Sequence, residues 1–455
     1  MATPSSTAPA ADPTLSKSWF RWVILAACVL IYSASHLVRW NYSSITKYLI
    51  TDLNIGKPEL GVLGAAFFYS YAIVQIPWGM AADKWGTRKV VPLAVFILGF
   101  VLSGFAFSGS YHQAIFWRVA MGVFAATGYV SITSVISKWF SIKERGLAMS
   151  LFSGIGGAAG EAISFLLIPV VALVMSAGVF GLTGWRGSTF LMGGIVIAIG
   201  VASYLMLRSD PEDMGLPSIQ KAEDSEPEKA YGDVVKQNIK DPVLWLLSVL
   251  LSCFIVGTRL GPAWIPLYAT DFYMHYNGMS KELAVVAGGA MATLYVMGRC
   301  FASPIVGQIS DVLLKKHGTP RSLIMAVAMV LMSIIFYLFT LPISSPFLLG
   351  ALVFAAGTVF NSFPILNATS SEILSVKAAG FNIAVINTVG QFAGAFTLAS
   401  SGFMAVRFAV KGGIFHTEFT GIWYMGIVAG IIGLVTALLI IKRETALLKE
   451  KNLRK

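Results

Sequence analysis

Cysteine is scarce in this chain: Cys28, Cys253 and Cys300 are the only three, each inside an apolar run. Isolated thiols in hydrophobic stretches exclude a disulfide framework and offer no zinc-ligand spacing, so they read as small packing residues. Charge is scarce too. Asp, Glu, Lys and Arg make up 12% of the 455 residues, against about 25% in soluble domains. Catalytic signatures are missing: there is no Walker A loop, no HExxH helix and no nucleophile elbow. These absences exclude a secreted disulfide scaffold, a soluble enzyme of ordinary composition and a pump with its own ATPase domain. No enzymatic activity, cofactor or metal is expected.

What the chain has is apolar residues, 56% of the total, and 44 glycines. The apolar residues come in runs of about 20, enough for a helix to cross a ~30 Å hydrocarbon core. Glycine suits such helices because small side chains let their backbones approach. Twelve spans are predicted, at 20–46, 58–80, 89–109, 112–137, 147–176, 188–208, 242–273, 283–307, 321–342, 346–370, 379–404 and 421–441. The small residues Ser33, Ala34 and Ser35 do not mark a cleaved signal, because the preceding region is long and barely basic and the run continues as a span. The expected class is an all-α polytopic membrane protein, twelve transmembrane helices in two pseudo-symmetric six-helix halves. Its segments are a disordered, Pro/Ala/Ser-rich tail at 1–19, bundles at 20–208 and 242–441, a polar linker at 209–241 and a basic tail at 442–455.

Lys and Arg set the orientation, since loops rich in them stay in the cytoplasm. With both termini cytoplasmic, 23 of the 33 fall inside, six fall outside and four lie within spans. The net charge of +11 is therefore a topology signal, and no nucleic-acid partner is expected. The implied location is a bacterial inner membrane, with the lipid bilayer as a partner and a monomer as the expected state.

The halves repeat. GMAADKWGTRK (Gly79–Lys89) follows span 2, and GQISDVLLKKHGTPR (Gly307–Arg321) follows span 8. Each opens G-x-x-x-D and turns basic. KERG (Lys143–Gly146) after span 4 is answered by VKAAG (Val376–Gly380) after span 10. Internal symmetry of this kind is a hallmark of secondary transporters. The loop Gly79, Asp83, Lys84, Gly86, Arg88, Lys89 resembles the signature loop of the major facilitator superfamily. That resemblance implies a gating role for Gly79, Asp83 and Arg88, and for their counterparts Gly307 and Asp311, with Asp83 pairing with basic groups at a neighbouring helix end.

Charge within a span is costly, about 2.5–3.5 kcal/mol per residue on insertion scales, so it marks a cavity or a partner. Arg39, Arg118, Arg259, Arg299 and Glu161 stand out. A shift of 220 residues carries Arg39 onto Arg259, Leu30 onto Leu250, Ile45 onto Ile265 and Tyr48 onto Tyr268. Two repeat-related arginines should face one central cavity, where planar guanidinium forks suit phosphate or carboxylate oxygens. Arg118 and Glu161 fall at matching depths in spans 4 and 5 and are expected to pair, with Glu161 a counter-ion or a proton carrier. Arg299, without an acidic neighbour in sequence, is a further candidate for substrate contact.

LVRWN (Leu37–Asn41), DPEDMGLP (Asp210–Pro217), the span 7 arginine and EILSVKAAGFNIA (Glu372–Ala384) are similar to the organophosphate:phosphate antiporters, which include glycerol-3-phosphate and hexose-phosphate transporters. The resemblance implies that Arg39 and Arg259 grip a phosphate and that Tyr32 belongs to the pocket. Three positions depart from that family. Gln75 stands where it has a lysine, Gly156 where it has a histidine, and His36 where it has a tyrosine. AFFYSYAIVQIPWG (Ala66–Gly79) is more similar to the anion:cation symporters. The expected function is transport of a small organic anion, a phosphate ester or carboxylate, by alternating access and exchange, with inorganic phosphate or a proton as co-substrate. The alternatives are a proton- or cation-coupled symporter of sugar acids and other carboxylates, and a transporter-like ligand sensor.

Overall fold

A computed structural model describes residues 18–178, 181–216, 236–361, 364–374, 379–409 and 415–453. Most of the disordered-tail expectation and the middle of the linker lie outside these residues, as does part of VKAAG.

The spans appear as helices in the predicted order: α1 Phe20–Ser44, α2 Lys57–Trp85, α3 Thr87–Phe105, α4 Tyr111–Trp139, α5 Glu144–Val174 and α6 Gly184–Met206. The second half supplies α7 Pro242–Asn277, α8 Lys281–His317, α9 Arg321–Phe339, α10 Pro346–Phe360 continued by Pro364–Ile373, α11 Ala379–Phe408 and α12 Thr420–Leu453. Among the described residues, 11 of these helices are long and apolar enough to cross a membrane unaided. The tenth, Pro346–Phe360, is a shorter apolar helix that ends at a turn at Asn361. The region expected as a basic tail continues α12 as helix to Leu453.

The repeat is visible in the packing. Helices α3 and α6 lie together, as do α9 and α12; between the halves, α2 meets α11 and α5 meets α8. Backbones are very close in the first two pairs. A Cβ at Gly193 would collide with Ser103, and one at Gly430 with Ser333. The far sides of these pairs are apolar and exposed, including Ile195, Val201 and Leu205 on α6 and Ile431, Val435 and Leu438 on α12. An apolar face of this extent is a lipid surface.

Contacts between the halves cluster at the end that carries the loops after α1 and α7. There Lys47 pairs with Asp271 at 2.6 Å, Lys57 pairs with Glu418, and Lys281 donates to Thr51 Oγ1 at 2.9 Å. Glycine makes this closure tight. A Cβ at Gly402 would strike the Lys57 carbonyl, and one at Gly289 the Phe165 carbonyl. At the opposite end, Cβ atoms at Gly146, Gly154 and Gly307 would meet open space. The named ion pairs and hydrogen bonds between the halves thus lie toward this end and at the centre, where Arg299 meets Glu161.

Two departures from regular helix lie near the centre. Pro266 has no N–H to offer the Pro262 carbonyl one turn earlier, and Ser43 Oγ on α1 donates to that carbonyl at 2.6 Å. In α5, π-helical turns at Leu151–Gly156 and Ile163–Leu167 flank the short stretch Gly157–Ala162 that bears Glu161. Such turns are concentrated at functional positions because they re-aim side chains without ending the helix.

Candidate functional site: an arginine-lined centre between the halves

Arg39 and Arg259 sit in the middle of α1 and α7, and both are largely buried. The guanidinium of Arg39 lies over a shelf of α2 aromatics, 5.7 Å from the Phe68 ring centre and 5.2 Å from that of Tyr71. Arg259 approaches the same Phe68 ring to 4.1 Å from the other half. The two guanidinium carbons are therefore no farther apart than the sum of their distances to that one ring. The repeat-related arginines thus approach one Phe68 ring from the two halves.

Neither arginine has a carboxylate within hydrogen-bonding distance among the described residues. Arg259 Nη2 donates to Gln391 Oε1 at 2.7 Å, and Arg39 Nη1 lies 3.4 Å from His36 Nε2. The Nε of each is buried without a partner. Aromatic faces stabilise the cations, but two like charges that share a buried ring repel. An anion between them removes that repulsion and uses the unspent N–H groups.

Glu161 is paired, but not with Arg118. Arg118 is fully buried and donates to three carbonyls, those of Leu63, Val38 and Arg39, at 3.2, 3.2 and 3.3 Å. Its guanidinium also lies 4.4 Å from the Tyr42 ring centre. The expected Arg118–Glu161 ion pair is therefore corrected. Matching depth fixes height along the bundle and not direction around it, and α1 and α2 carbonyls satisfy Arg118 first. This arginine ties α4 to α1 and α2.

The partner of Glu161 comes from the other half. Arg299 Nη1 donates to Glu161 Oε1 at 2.6 Å. Trp40 Nε1 donates to the same oxygen at 3.1 Å, and His36 Nδ1 lies 2.9 Å from it. Donation from Nδ1 leaves His36 Nε2 as the acceptor facing Arg39, which fixes the neutral tautomer. A continuous path runs Arg39, His36, Glu161, Arg299, from one half into the other. Close packing of α1 on α5 builds it: a Cβ at Gly160 would meet the Ser33 carbonyl and, at 2.8 Å, the Cβ of His36. Tyr32 lies beside His36, with ring centres 4.4 Å apart and planes tilted by 56°.

The remaining candidates divide. Gln75 is half-buried on α2, one turn past Tyr71, and makes no hydrogen bond among the described residues. Of the loop residues, the Arg88 amide donates to Ser209 Oγ at 3.0 Å and its guanidinium lies 5.7 Å from the Tyr204 ring centre. Asp311 pairs with Arg321 at 2.7 Å. Asp83 is exposed and has no ion pair among the described residues. Gly79 is half-buried near the end of α2, and Gly307 faces open space.

Sequence reasoning missed Phe68, Trp40 and Gln391. Phe68 and Trp40 gave no signal, because their role depends on which helices meet. Gln391 gave a weak one: with Asn387, four residues earlier, it forms a polar pair at helical spacing on α11. An apolar recess of about 590 Å³ between α7, α11 and α12, lined by Val249, Cys253, Phe408, Tyr424 and Ile432 among others, contains none of these charged residues.

Residues 28–398 match the family model described as "Major Facilitator Superfamily". A protein of Chlamydia trachomatis named "Probable hexose phosphate transport protein" is 26% identical over 413 residues, covering 85% of this chain and 86% of that one. The "Glycerol-3-phosphate transporter" of Bacillus subtilis is 24% identical over 402 residues, covering 84% and 85%. Among solved structures, a bacterial homolog of the human lysosomal transporter Spinster, in an inward-facing and unoccupied conformation, superposes with a TM-score of 0.73. That match covers 95% of this chain and 98% of the other at 16% identity, a likeness of fold.

Proposed function

Because the chain belongs to the major facilitator superfamily, we propose that it carries a small organic anion across a bacterial inner membrane by alternating access, most simply by exchange. The observation that carries this reading is the pair Arg39 and Arg259: repeat-related, buried, on opposite halves, over one ring, and free of carboxylate partners among the described residues. The relatives named for hexose phosphate and glycerol phosphate support a substrate with one strongly acidic headgroup.

The mechanism follows from charge. Without substrate, the two arginines hold the halves apart at the centre. An acidic headgroup between them converts repulsion into two charge-assisted contacts, so the loaded carrier crosses the occluded state more readily than the empty one. This asymmetry is what exchange requires. With both termini in the cytoplasm, as the Lys and Arg distribution supports, the end held by Lys47–Asp271 and Lys57–Glu418 faces outward. Ser43 and the prolines of α7 then sit at the outer half, where α7 bends during opening.

A second reading, symport with a proton, draws on Glu161. This buried carboxylate keeps one oxygen, Oε2, without a partner among the described residues, so a proton has a place to go.

Counterflow in proteoliposomes tests the proposal. Vesicles loaded with inorganic phosphate should take up labelled glycerol phosphate or a hexose phosphate, and Arg39→Gln should abolish uptake. Uptake that ignores internal phosphate but follows an imposed pH gradient would replace exchange with symport. Specific binding without flux would make the chain a sensor.

A further inference from the structure

Glu161 and Arg299 do not form the fork that a carboxylate and a guanidinium adopt when both are free to choose. All three donors, from Arg299, Trp40 and His36, converge on Oε1. Glu161 Oε2 and Arg299 Nη2 are both buried with no hydrogen-bond partner among the described residues. The contact is therefore single-pronged, and weaker and less directional than a bidentate pair.

The two partners are also held unequally. Trp40 and His36 anchor Glu161 within its own half, and its side chain is only 2% exposed. Arg299 has no other hydrogen bond among the described residues, and its side chain is 19% exposed. Arg299 is thus the member that a solute can reach and take. It also points toward the anion site. A Cβ at Gly157 would touch Arg299 Nη2 at 3.3 Å, His36 Cε1 at 3.3 Å and Tyr32 Cε1 at 3.4 Å. Beyond His36 lies Arg39. The His36 ring and Glu161 Oε1 link the two guanidiniums, so an anion held at Arg39 reaches Arg299 only with a second acidic group.

We infer that Arg299 is a second anion subsite, that Glu161 occupies it as an internal carboxylate, and that this occupancy makes the site select anions with one acidic headgroup over those with two. The inference rests on the reading that Arg39 and Arg259 hold the first headgroup. A two-headed anion placed there brings its second carboxylate against Glu161, which repels it and already holds Arg299. Neutralising Glu161 frees both prongs of Arg299 for that carboxylate and removes the repulsion.

The test compares equilibrium binding of glycerol phosphate and of phosphoglycerate, which carries a carboxylate in place of the terminal hydroxymethyl group, to the purified full-length protein. Wild type should prefer glycerol phosphate. Glu161→Gln should shift the affinity ratio toward phosphoglycerate by about tenfold or more, the scale of one charge-assisted contact. Adding Arg299→Gln should cancel the shift while glycerol phosphate still binds. Glu161→Asp, which keeps the charge but draws it back by one methylene, should give a smaller shift in the same direction and serves if the glutamine variant does not fold. A ratio that stays within twofold in these variants, with Arg39-dependent glycerol phosphate binding intact, overturns the inference alone. Wild type that binds neither anion overturns the inference together with the reading beneath it.

Discussion

Replacing Arg259 with glutamine separates a charge kept for substrate from a charge kept for structure. The two guanidinium carbons lie within 5.7 and 4.1 Å of the Phe68 ring centre, so their separation is at most roughly 10 Å. At that separation and an effective dielectric constant of about 20, two unit charges repel by about 1.7 kcal/mol. Arg259→Gln removes this repulsion. It also removes a cation–π contact with Phe68, worth roughly 0.5–2 kcal/mol, while the new amide can still reach Gln391. The terms offset, so the ligand-free protein should melt within a degree or two of wild type. Ligand response should not survive. Loss of one guanidinium from an acidic headgroup costs about 1.5–3 kcal/mol per charge-assisted hydrogen bond, hence roughly 10- to 150-fold in affinity for each bond. The assay is thermal unfolding in detergent, with and without glycerol phosphate or inorganic phosphate. An Arg259→Gln protein that is strongly destabilised yet still gains stability from the anion would refute the reasoning and make Arg259 structural.

The other predictions follow from the same contacts. Arg118→Gln should lower unfolding stability by about 2–4 kcal/mol, because three buried carbonyls lose a charged donor, and in the folded fraction the anion-induced shift should persist. Ser43→Ala leaves the Pro262 carbonyl unsatisfied and should cost about 1 kcal/mol, seen as a lower melting temperature. Gly402→Val forces a side chain into the Lys57 carbonyl and should hold that end of the bundle open. In a Cys300→Ser background, an impermeant thiol reagent should then label Ala263→Cys several-fold faster than when Gly402 is retained.

Much of the fold was legible because hydropathy and length specify spans directly, and because a repeat leaves traces in sequence. The 220-residue offset relates Arg39 to Arg259, since symmetry relates positions on different helices without knowledge of their packing. Other relations had no such guide. The Arg118–Glu161 pairing failed because depth was inferred and azimuth was not. The partner of Glu161 lay 138 residues away, in the other half, where no local pattern points. Phe68 was invisible for a related reason: an aromatic in an apolar helix becomes a platform only when two cations from other helices arrive above it. The α5 distortion was likewise unreadable, since π-helical turns follow from packing against α1 more than from propensity.

The most direct test of the account is a structure of the protein determined with glycerol phosphate bound. The account predicts phosphate density between the Arg39 and Arg259 guanidiniums beside the Phe68 ring, with Arg118 still on its three carbonyls and Glu161 still on Arg299. Phosphate density away from these two arginines, or an ordered ligand that engages only one of them, would contradict it.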